Sequence, residues 1–256
     1  MTNERRVLVH PDKGSLGASV AARFITKIID VIEEQDYAHV VVSGGSVSTL
    51  VLAAINASPA RDSVDWSKVS FWWADERWVE ADDADRNDRQ AGIDLLDHIG
   101  VLPENVHRFG AVGDHADVEA AAVAYRAELL EHAQADDDAP RFDITLLGVG
   151  PDGHIASLFP DKGQIRMTEP TVLTIDDSPK PPPVRLTLSL PVINNSQRVW
   201  MILAGAEKAS SLGLALAGAG ADQVPVAGVK GRKRTVFFVD RDAAAEVPEN
   251  LIASTY

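Results

Sequence analysis

Short runs of apolar, largely β-branched residues alternate with segments of helical periodicity along almost the whole chain. Continuously apolar strands of this kind are typical of a parallel sheet that is covered on both faces. In the helical segments apolar residues recur every three or four positions, as at Val20, Phe24 and Ile28. The predicted strands are 6–10, 39–43, 69–73, the first half of 143–160, 185–190, 198–204 and 235–240. The predicted helices are 15–35, 47–55, 93–99, 118–134 and 207–217.

This alternation predicts an α/β fold, a Rossmann-like three-layer sandwich with a mostly parallel sheet and helices on both faces. Residues 80–89 are expected to form a charged loop, and the proline-rich segment 161–183 is expected to be irregular. We expect one domain over residues 1–256. A boundary at 136–138, within an acidic linker at 135–140, is the alternative, but the strands on either side of it have the character of one sheet.

The composition limits the classes of function. The 256 residues carry a formal net charge of −14 at pH 7, which disfavours binding to nucleic acid or to an anionic membrane because both require basic patches. An anionic ligand would need basic side chains that are gathered locally. The chain has no cysteine, no run of 18 apolar residues and no apolar run of signal-peptide type. We therefore expect a cytoplasmic protein.

Two loops that follow predicted strands carry candidate binding residues. Gly44, Gly45 and Ser46 stand between a strand and a helix, where backbone N–H groups can bind phosphate. Ser46 is expected to be the N-cap of that helix. The loop lacks the later glycines and lysine of nucleotide-binding motifs, so a tight turn without a ligand is an equal alternative. Asp75 and Arg77 follow the next strand, as either a functional pair or a solvated charge cluster.

A third loop carries a histidine, in the sequence Gly-Pro-Asp-Gly-His at 150–154. Ligands of open α/β sheets bind just beyond the carboxyl ends of the strands, which is where this loop is expected to lie. Imidazole groups titrate near neutral pH, so His154 is a candidate general base. A lone histidine is more often structural, but this placement favours function. Metal binding is not expected because the seven histidines show no paired spacing.

Two basic residues are candidate ligands for an anion. Arg185 lies on a predicted strand after three prolines, and Lys208 lies at the start of a predicted helix. A guanidinium suits bidentate contact with phosphate, and an ammonium acts as a point charge. Either residue alone would be interpreted as an ordinary exposed base.

Taken together, these motifs resemble the 6-phosphogluconolactonases, a family in a superfamily shared with glucosamine-6-phosphate deaminases. The resemblance covers essentially the whole chain, and its most specific string is the one around His154. The matching strings, in chain order, are S-G-G-S, W-W-A-D-E-R-W, L-L-G-V-G-P-D-G-H-I-A-S-L-F-P, P-P-V-R-L-T-L and P-V-I-N-N-S-Q-R-V-W-M-I-L-A-G-A-E-K-A.

The resemblance implies hydrolysis of 6-phospho-D-glucono-1,5-lactone to 6-phosphogluconate, a step of the pentose phosphate pathway, without metal or cofactor. His154 would be the general base, and Asp75 and Arg77 would lie beside the sugar ring and the lactone. Arg77 or loop N–H groups around Gly153 would stabilise the oxyanion. The resemblance assigns the remaining positions to substrate and phosphate binding: Gly44, Gly45, Ser46, Asp152, Gly153, Arg185 and Lys208.

Two positions depart from related patterns. The deaminase branch carries a glutamate five residues after the loop histidine, where this chain has Phe159, so sugar isomerisation loses an acid–base group and ester hydrolysis loses nothing. Arg86 stands where many lactonases have serine, and it either reaches substrate or solvates its loop.

Two alternatives to the lactonase remain: a sugar-phosphate isomerase or deaminase, and a non-catalytic sugar-phosphate sensor. The expected partner is a small sugar-phosphate lactone, and the expected assembly is a monomer or weak homodimer.

Overall fold

Ten strands and six α-helices are found in residues 4–135 and 137–252, the ranges that the computed structural model describes. The strands are β1 Glu4–His10, β2 Ala38–Val42, β3 Val69–Trp73, β4 Asp75–Arg77, β5 Val106–His107, β6 Ile144–Gly148, β7 Val172–Ile175, β8 Arg185–Leu188, β9 Arg198–Leu203 and β10 Arg234–Asp240. The helices are α1 Lys13–Gln35, α2 Ser46–Ala57, α3 Asn87–Asp94, α4 Val118–Glu131, α5 Leu190–Asn194 and α6 Ala209–Leu216.

Seven strands form the central sheet, in the order β1-β10-β9-β6-β2-β3-β5, and every neighbouring pair is parallel. The five inner strands are buried along most of their length, as the apolar runs predict, and the edge strands β1 and β5 are less buried. Helices cover the sheet. The predicted α/β sandwich is confirmed. The strand order reverses between β2 and β6, so the loops that follow these two strands lie side by side.

A second, antiparallel sheet of three strands in the order β4-β8-β7 lies beyond the carboxyl end of β3. The sequence did not predict it. Its strand β7, a β-branched run of four residues, falls inside the segment 161–183, which was expected to be irregular because prolines surround this run. Residues 185–190 are only partly strand, since α5 begins at Leu190.

Two of the differences from the predicted helix starts have a clear physical cause. The helix expected at 93–99 is α3, which begins at Asn87 inside the supposed charged loop and ends at Asp94. Ser46 is the first residue of α2 and not its N-cap. The cap is Gly45, whose φ of 92° turns the chain directly into the helix, and no side chain caps the first N–H groups. These groups are left open to a ligand.

The acidic linker joins α4 to β6, and its residue Asp136 lies outside the described residues. Strands from both sides of it pair in the central sheet, as β2 does with β6. A single domain over 1–256 remains our prediction. Among the described residues, no helix combines the length and the apolar character needed to cross a bilayer.

Candidate active site

A polar cleft of about 330 Å³ lies at the carboxyl ends of β2, β3, β6 and β9. Its size suits a small ligand, and its place at the strand-order reversal is where open α/β sheets bind one. The predicted residues that line it are Gly44, Gly45, Ser46, Asp75, Arg77, His154, Arg185 and Lys208. Segments far apart in the sequence therefore meet in this cleft.

His154 is presented by a tight turn that follows β6. The N–H of Gly153 donates to the carbonyl of Gly150 at 3.0 Å, and the N–H of Gly150 donates to the carbonyl of His154 at 2.9 Å. A Cβ on Gly150 would overlap the imidazole, and Gly153 has a φ of 80°. Glycine at both positions is thus what lets the ring lie over the turn.

The partner of the imidazole is Asp152. Its Oδ1 lies 2.5 Å from Nδ1 of His154, and none of the described residues hydrogen-bonds to Nε2. Partial burial alone would raise the pKa of Asp152, but the hydrogen bond and charge of His154, with Lys180, outweigh it and lower the pKa to about 2. Asp152 is therefore a carboxylate that holds Nδ1–H and leaves Nε2 for chemistry.

Lys180 brings a positive charge to this pair. Its Nζ lies 3.4 Å from Nδ1 of His154 and 4.0 Å from Oδ1 of Asp152. Lys180 precedes three prolines in the segment between β7 and β8, and this placement gave no sequence signal.

The Phe159 ring packs against the imidazole of His154. It is fully buried, and its centroid lies 4.8 Å from that of the His154 imidazole. The guanidinium of Arg185 lies 5.9 Å from the same centroid, a cation–π contact.

Arg185 also anchors the segment that carries Lys180. Its Nε donates to the carbonyl of Pro182, and its Nη2 donates to those of Lys180 and Pro181, each at 3.0 Å. Burial lowers the pKa of Arg185. Arg185, which was predicted only as a phosphate ligand, therefore holds the backbone of the segment that carries Lys180.

Asp75 connects the second sheet to the histidine loop. This side chain is buried, and its Oδ2 accepts a hydrogen bond from Oγ of Ser157 at 2.7 Å. Arg77, two residues further along β4, lines the same cleft, where its Nη1 donates to the carbonyl of Asp85 and to Oδ1 of Asn87. Asp75 and Arg77 are therefore a fixed part of the cleft wall.

The glycine loop after β2 packs closely on this wall. A Cβ on Gly44 would overlap the side-chain amide of Asn87. Oγ of Ser43 accepts the N–H of Gly148 at 3.1 Å, which ties the loops after β2 and β6 together. Asn87 was not predicted because it stands in a charged stretch with no local pattern.

The cleft gathers positive charge in an acidic protein, as an anionic ligand would require. Its cationic residues are Lys13, Arg77, Lys180, Arg185 and Lys208, and its acids are Asp75 and Glu207. Burial lowers the pKa of Lys208, Glu207 opposes this effect, and Lys180 adds to it. Lys13, the exposed first residue of α1, was also missed.

Three residues lie differently from expectation. Asp152 contacts His154 and is not part of the cleft lining. The Gly153 N–H is bonded to Gly150 and is not free for an oxyanion. Arg86 neither faces the cleft nor solvates a loop. It is buried, paired with Asp88 through two contacts of 2.9 Å, and donates to the carbonyl of Phe109.

Within residues 4–135 and 137–252, no three His, Cys, Asp or Glu side chains are grouped in a way that could hold a metal ion. The arrangement that the cleft does offer is a histidine–carboxylate pair, a set of cations and a helix N-terminus. Such a set can activate water and bind an anionic ester.

Comparison with known proteins gives matches along nearly the whole chain. The family model for glucosamine-6-phosphate isomerases/6-phosphogluconolactonase matches residues 11–238. The 6-phosphogluconolactonase of Streptomyces coelicolor is 45% identical over 255 residues, which are 98% of each chain. That of Mycobacterium tuberculosis is 40% identical over 242 residues, which are 94% of this chain and 97% of the relative.

Solved structures of the same family have the same fold as this chain. The 6-phosphogluconolactonase of Thermotoga maritima superposes with a TM-score of 0.81 at 27% identity, over 93% of this chain and 100% of that one. A monomeric glucosamine-6-phosphate deaminase reaches a TM-score of 0.77 at 19% identity over 94% and 99% of the two chains, which shows that the fold is shared.

Proposed function

This chain belongs to the family of glucosamine-6-phosphate isomerases and 6-phosphogluconolactonases, and we propose that it hydrolyses 6-phospho-D-glucono-1,5-lactone to 6-phosphogluconate with His154 as general base. The observation that carries this function is the His154–Asp152 pair at the rim of a cationic cleft. The identity of 45% to a 6-phosphogluconolactonase over nearly the full length supports the same reaction.

In the proposed mechanism, His154 Nε2 removes a proton from a water molecule. The water oxygen forms a bond to the lactone carbonyl carbon, and the bond from that carbon to the ring oxygen then breaks. The proton passes from His154 to the ring oxygen, which becomes a hydroxyl group. Asp152 holds Nδ1–H throughout and stabilises the imidazolium that forms. General acid–base catalysis of this kind contributes about 10²- to 10⁴-fold in rate.

The developing oxyanion needs a donor. The Gly153 N–H is already engaged, so we assign this role to cationic side chains, with Lys180 first because its ammonium lies beside His154. Asp75 and Arg77 are assigned to the sugar ring and the lactone, since they form the wall of the same cleft.

The phosphate is assigned to the glycine loop after β2 and the start of α2, which line the same cleft. The start of α2 at Ser46 has uncapped N–H groups, and Gly44 and Gly45 allow a close approach to them. Lys208 and Arg185 supply positive charge. We further propose a cytoplasmic enzyme that works as a monomer or weak homodimer, and a net charge of −14 supports the absence of nucleic-acid binding.

Lactone hydrolysis releases a proton from the acid that is formed, so a pH-stat follows turnover against the spontaneous background. We expect His154→Ala to lower kcat by about 10²-fold or more, whereas His98→Ala, at an exposed histidine outside the cleft, should retain it. Undiminished turnover in the His154→Ala variant would exclude His154 as the general base.

The substrate class has its own test. Unphosphorylated gluconolactone should be a poor substrate for the wild type, and its equal hydrolysis would contradict the phosphate site. Release of ammonia from glucosamine 6-phosphate, with no lactone turnover, would show that the protein is a deaminase and not a lactonase.

A further inference from the structure

Three consecutive bonds form a closed ring behind the cleft wall. Oε1 of Glu76 accepts the backbone N–H of Arg77 at 2.7 Å and that of Asn87 at 2.8 Å. The ring is closed by Nη1 of Arg77, which donates to Oδ1 of Asn87 at 2.5 Å. One carboxylate thus holds both the backbone of a cleft residue and the residue that its guanidinium contacts.

Glu76 is fully buried and faces away from the cleft, because successive residues of a strand point to opposite sides. Its Oε2 accepts the N–H of Asp88 at 2.9 Å and lies 3.8 Å from Nη2 of Arg86. Burial raises the pKa of Glu76, nearby Asp88 raises it further, and Arg86 opposes both. The bonds to Asn87 and Asp88 satisfy the first turn of α3, which explains why this helix begins inside a charged stretch.

The Arg77 guanidinium depends on this arrangement. Within the described residues its partners are the Asp85 carbonyl and the Asn87 amide, and its Nε is buried without a partner. Asn87 in turn donates from Nδ2 to the carbonyl of Asp75 at 2.8 Å and packs against Gly44. A shift of the α3 start would therefore move the guanidinium and the glycine loop together.

We propose that Glu76 is a positioning residue for the hydrolysis, which sets the Arg77 guanidinium against the substrate by fixing the start of α3. This inference rests on the proposed function. Glu76 touches no substrate, so its effect passes through Arg77 and Asn87. A misplacement of a substrate-contacting group by about 1 Å can cost on the order of 10²-fold in rate.

The first test is Glu76→Gln, because an amide cannot accept all three N–H groups. We expect kcat to fall by about 10- to 100-fold with KM changed less than about 3-fold. Asp143→Asn is the matched control, since that buried carboxylate also accepts a backbone N–H, from His39, but at the amino end of β6. It should lose comparable stability and keep its kcat. Equal loss of kcat in both variants would reduce Glu76 to a structural role.

A double-mutant cycle with Arg77→Lys tests whether the effect of Glu76 on kcat passes through Arg77. If Glu76 acts through Arg77, the double variant should be no more than about 3-fold slower than Arg77→Lys alone. Should Glu76→Gln fail to fold, Glu76→Asp replaces it in the cycle, because it keeps a carboxylate beside Arg86 but withdraws it from the N–H groups of Asn87 and Asp88. Additive losses in the cycle that is measured would overturn the proposal.

A crystal structure of Glu76→Gln, or of Glu76→Asp in its place, gives a readout that does not depend on activity. We expect a displaced Arg77 guanidinium, and an unmoved one would refute the positioning role. An inactive wild type would refute the lactonase function alone, whereas an active wild type with an unaffected Glu76→Gln would refute this inference alone.

Discussion

Asp152 Oδ1 and His154 Nδ1 lie 2.5 Å apart within a single turn of the chain. In the proposed mechanism, the base and the carboxylate that orients it therefore come from one loop, with a single glycine between them. The carboxyl has a pKa of about 2, so it stays ionised over the whole range in which the fold is expected to work.

Replacing this carboxylate should impair catalysis more than binding. We expect Asp152→Asn to lower kcat by about 10²-fold because the imidazole loses its fixed orientation and the imidazolium its counter-charge. KM should change little. Steady-state kinetics in the pH-stat measure both quantities, with Asp161→Asn, outside the cleft lining, as the control. Unaltered kcat would show that the imidazole needs no such partner.

The turn itself requires glycine at position 153. Its φ of 80° is unfavourable for other residues, and an added Cβ would lie 2.6 Å from Cγ1 of Val224. We expect Gly153→Ala to lower the free energy of unfolding by at least about 1–2 kcal/mol. Gly163→Ala, where a Cβ meets no atom within 4 Å, should be neutral. Urea denaturation gives the free energy of unfolding of both variants. Equal values would contradict backbone strain at position 153.

The Phe159 ring should matter for the position of the imidazole above it. Phe159→Leu keeps an apolar side chain but removes the aromatic contact, which is worth about 0.5–1.5 kcal/mol. We expect kcat to fall by about 2- to 12-fold. Phe142→Leu is the matched control, because that buried ring packs near Trp72 and away from the cleft. A drop of the same size in both variants would mean that only packing was lost.

A histidine cluster far from the cleft should make stability depend on pH. Nδ1 of His39 accepts a hydrogen bond from the indole N–H of Trp72 at 3.2 Å. Burial, with the nearby His107 and His132, lowers the pKa of His39 from 6.5 to about 4. The unfolded chain therefore binds the proton first, and stability falls as pH drops from about 6.5 towards 4, by at most about 3 kcal/mol.

His39→Gln should remove most of this dependence, because the amide oxygen can accept the same indole N–H without titrating. The difference in unfolding free energy between pH 7 and pH 5 should shrink in this variant. His98→Gln, at an exposed position, should behave as the wild type. An unchanged pH dependence in His39→Gln would place its origin elsewhere.

The central sheet and the turn that carries His154 could be predicted from the sequence because their signals are local. Apolar runs mark every central strand except the two-residue β5, which was not predicted, and His154 shares one contiguous string with its glycines. Lys180 and Asn87 could not be found in this way. Each reaches the cleft only through tertiary contacts, one held by Arg185 and the other by Glu76.

Helix starts show the same limit. The start of α3 was misplaced because the carboxylate that satisfies its first N–H groups lies eleven residues earlier, on another element. Ser46 was misassigned as a cap because a positive φ at Gly45 makes a side-chain cap unnecessary. Neither the contact of Glu76 with the start of α3 nor the φ of Gly45 can be predicted from a pattern of residue types.

The contrast between the cationic cleft and the acidic chain has a consequence for the kinetics of encounter. A phosphorylated substrate is repelled at long range by a net charge of −14 and attracted only near the five cleft cations. The Debye length is about 30 Å at 0.01 M salt and about 10 Å at 0.1 M. Added salt should therefore first raise kcat/KM by screening the repulsion and then lower it by screening the cleft. A kcat/KM that only falls as salt is added would show that attraction by the cleft cations outweighs repulsion by the net charge at every distance.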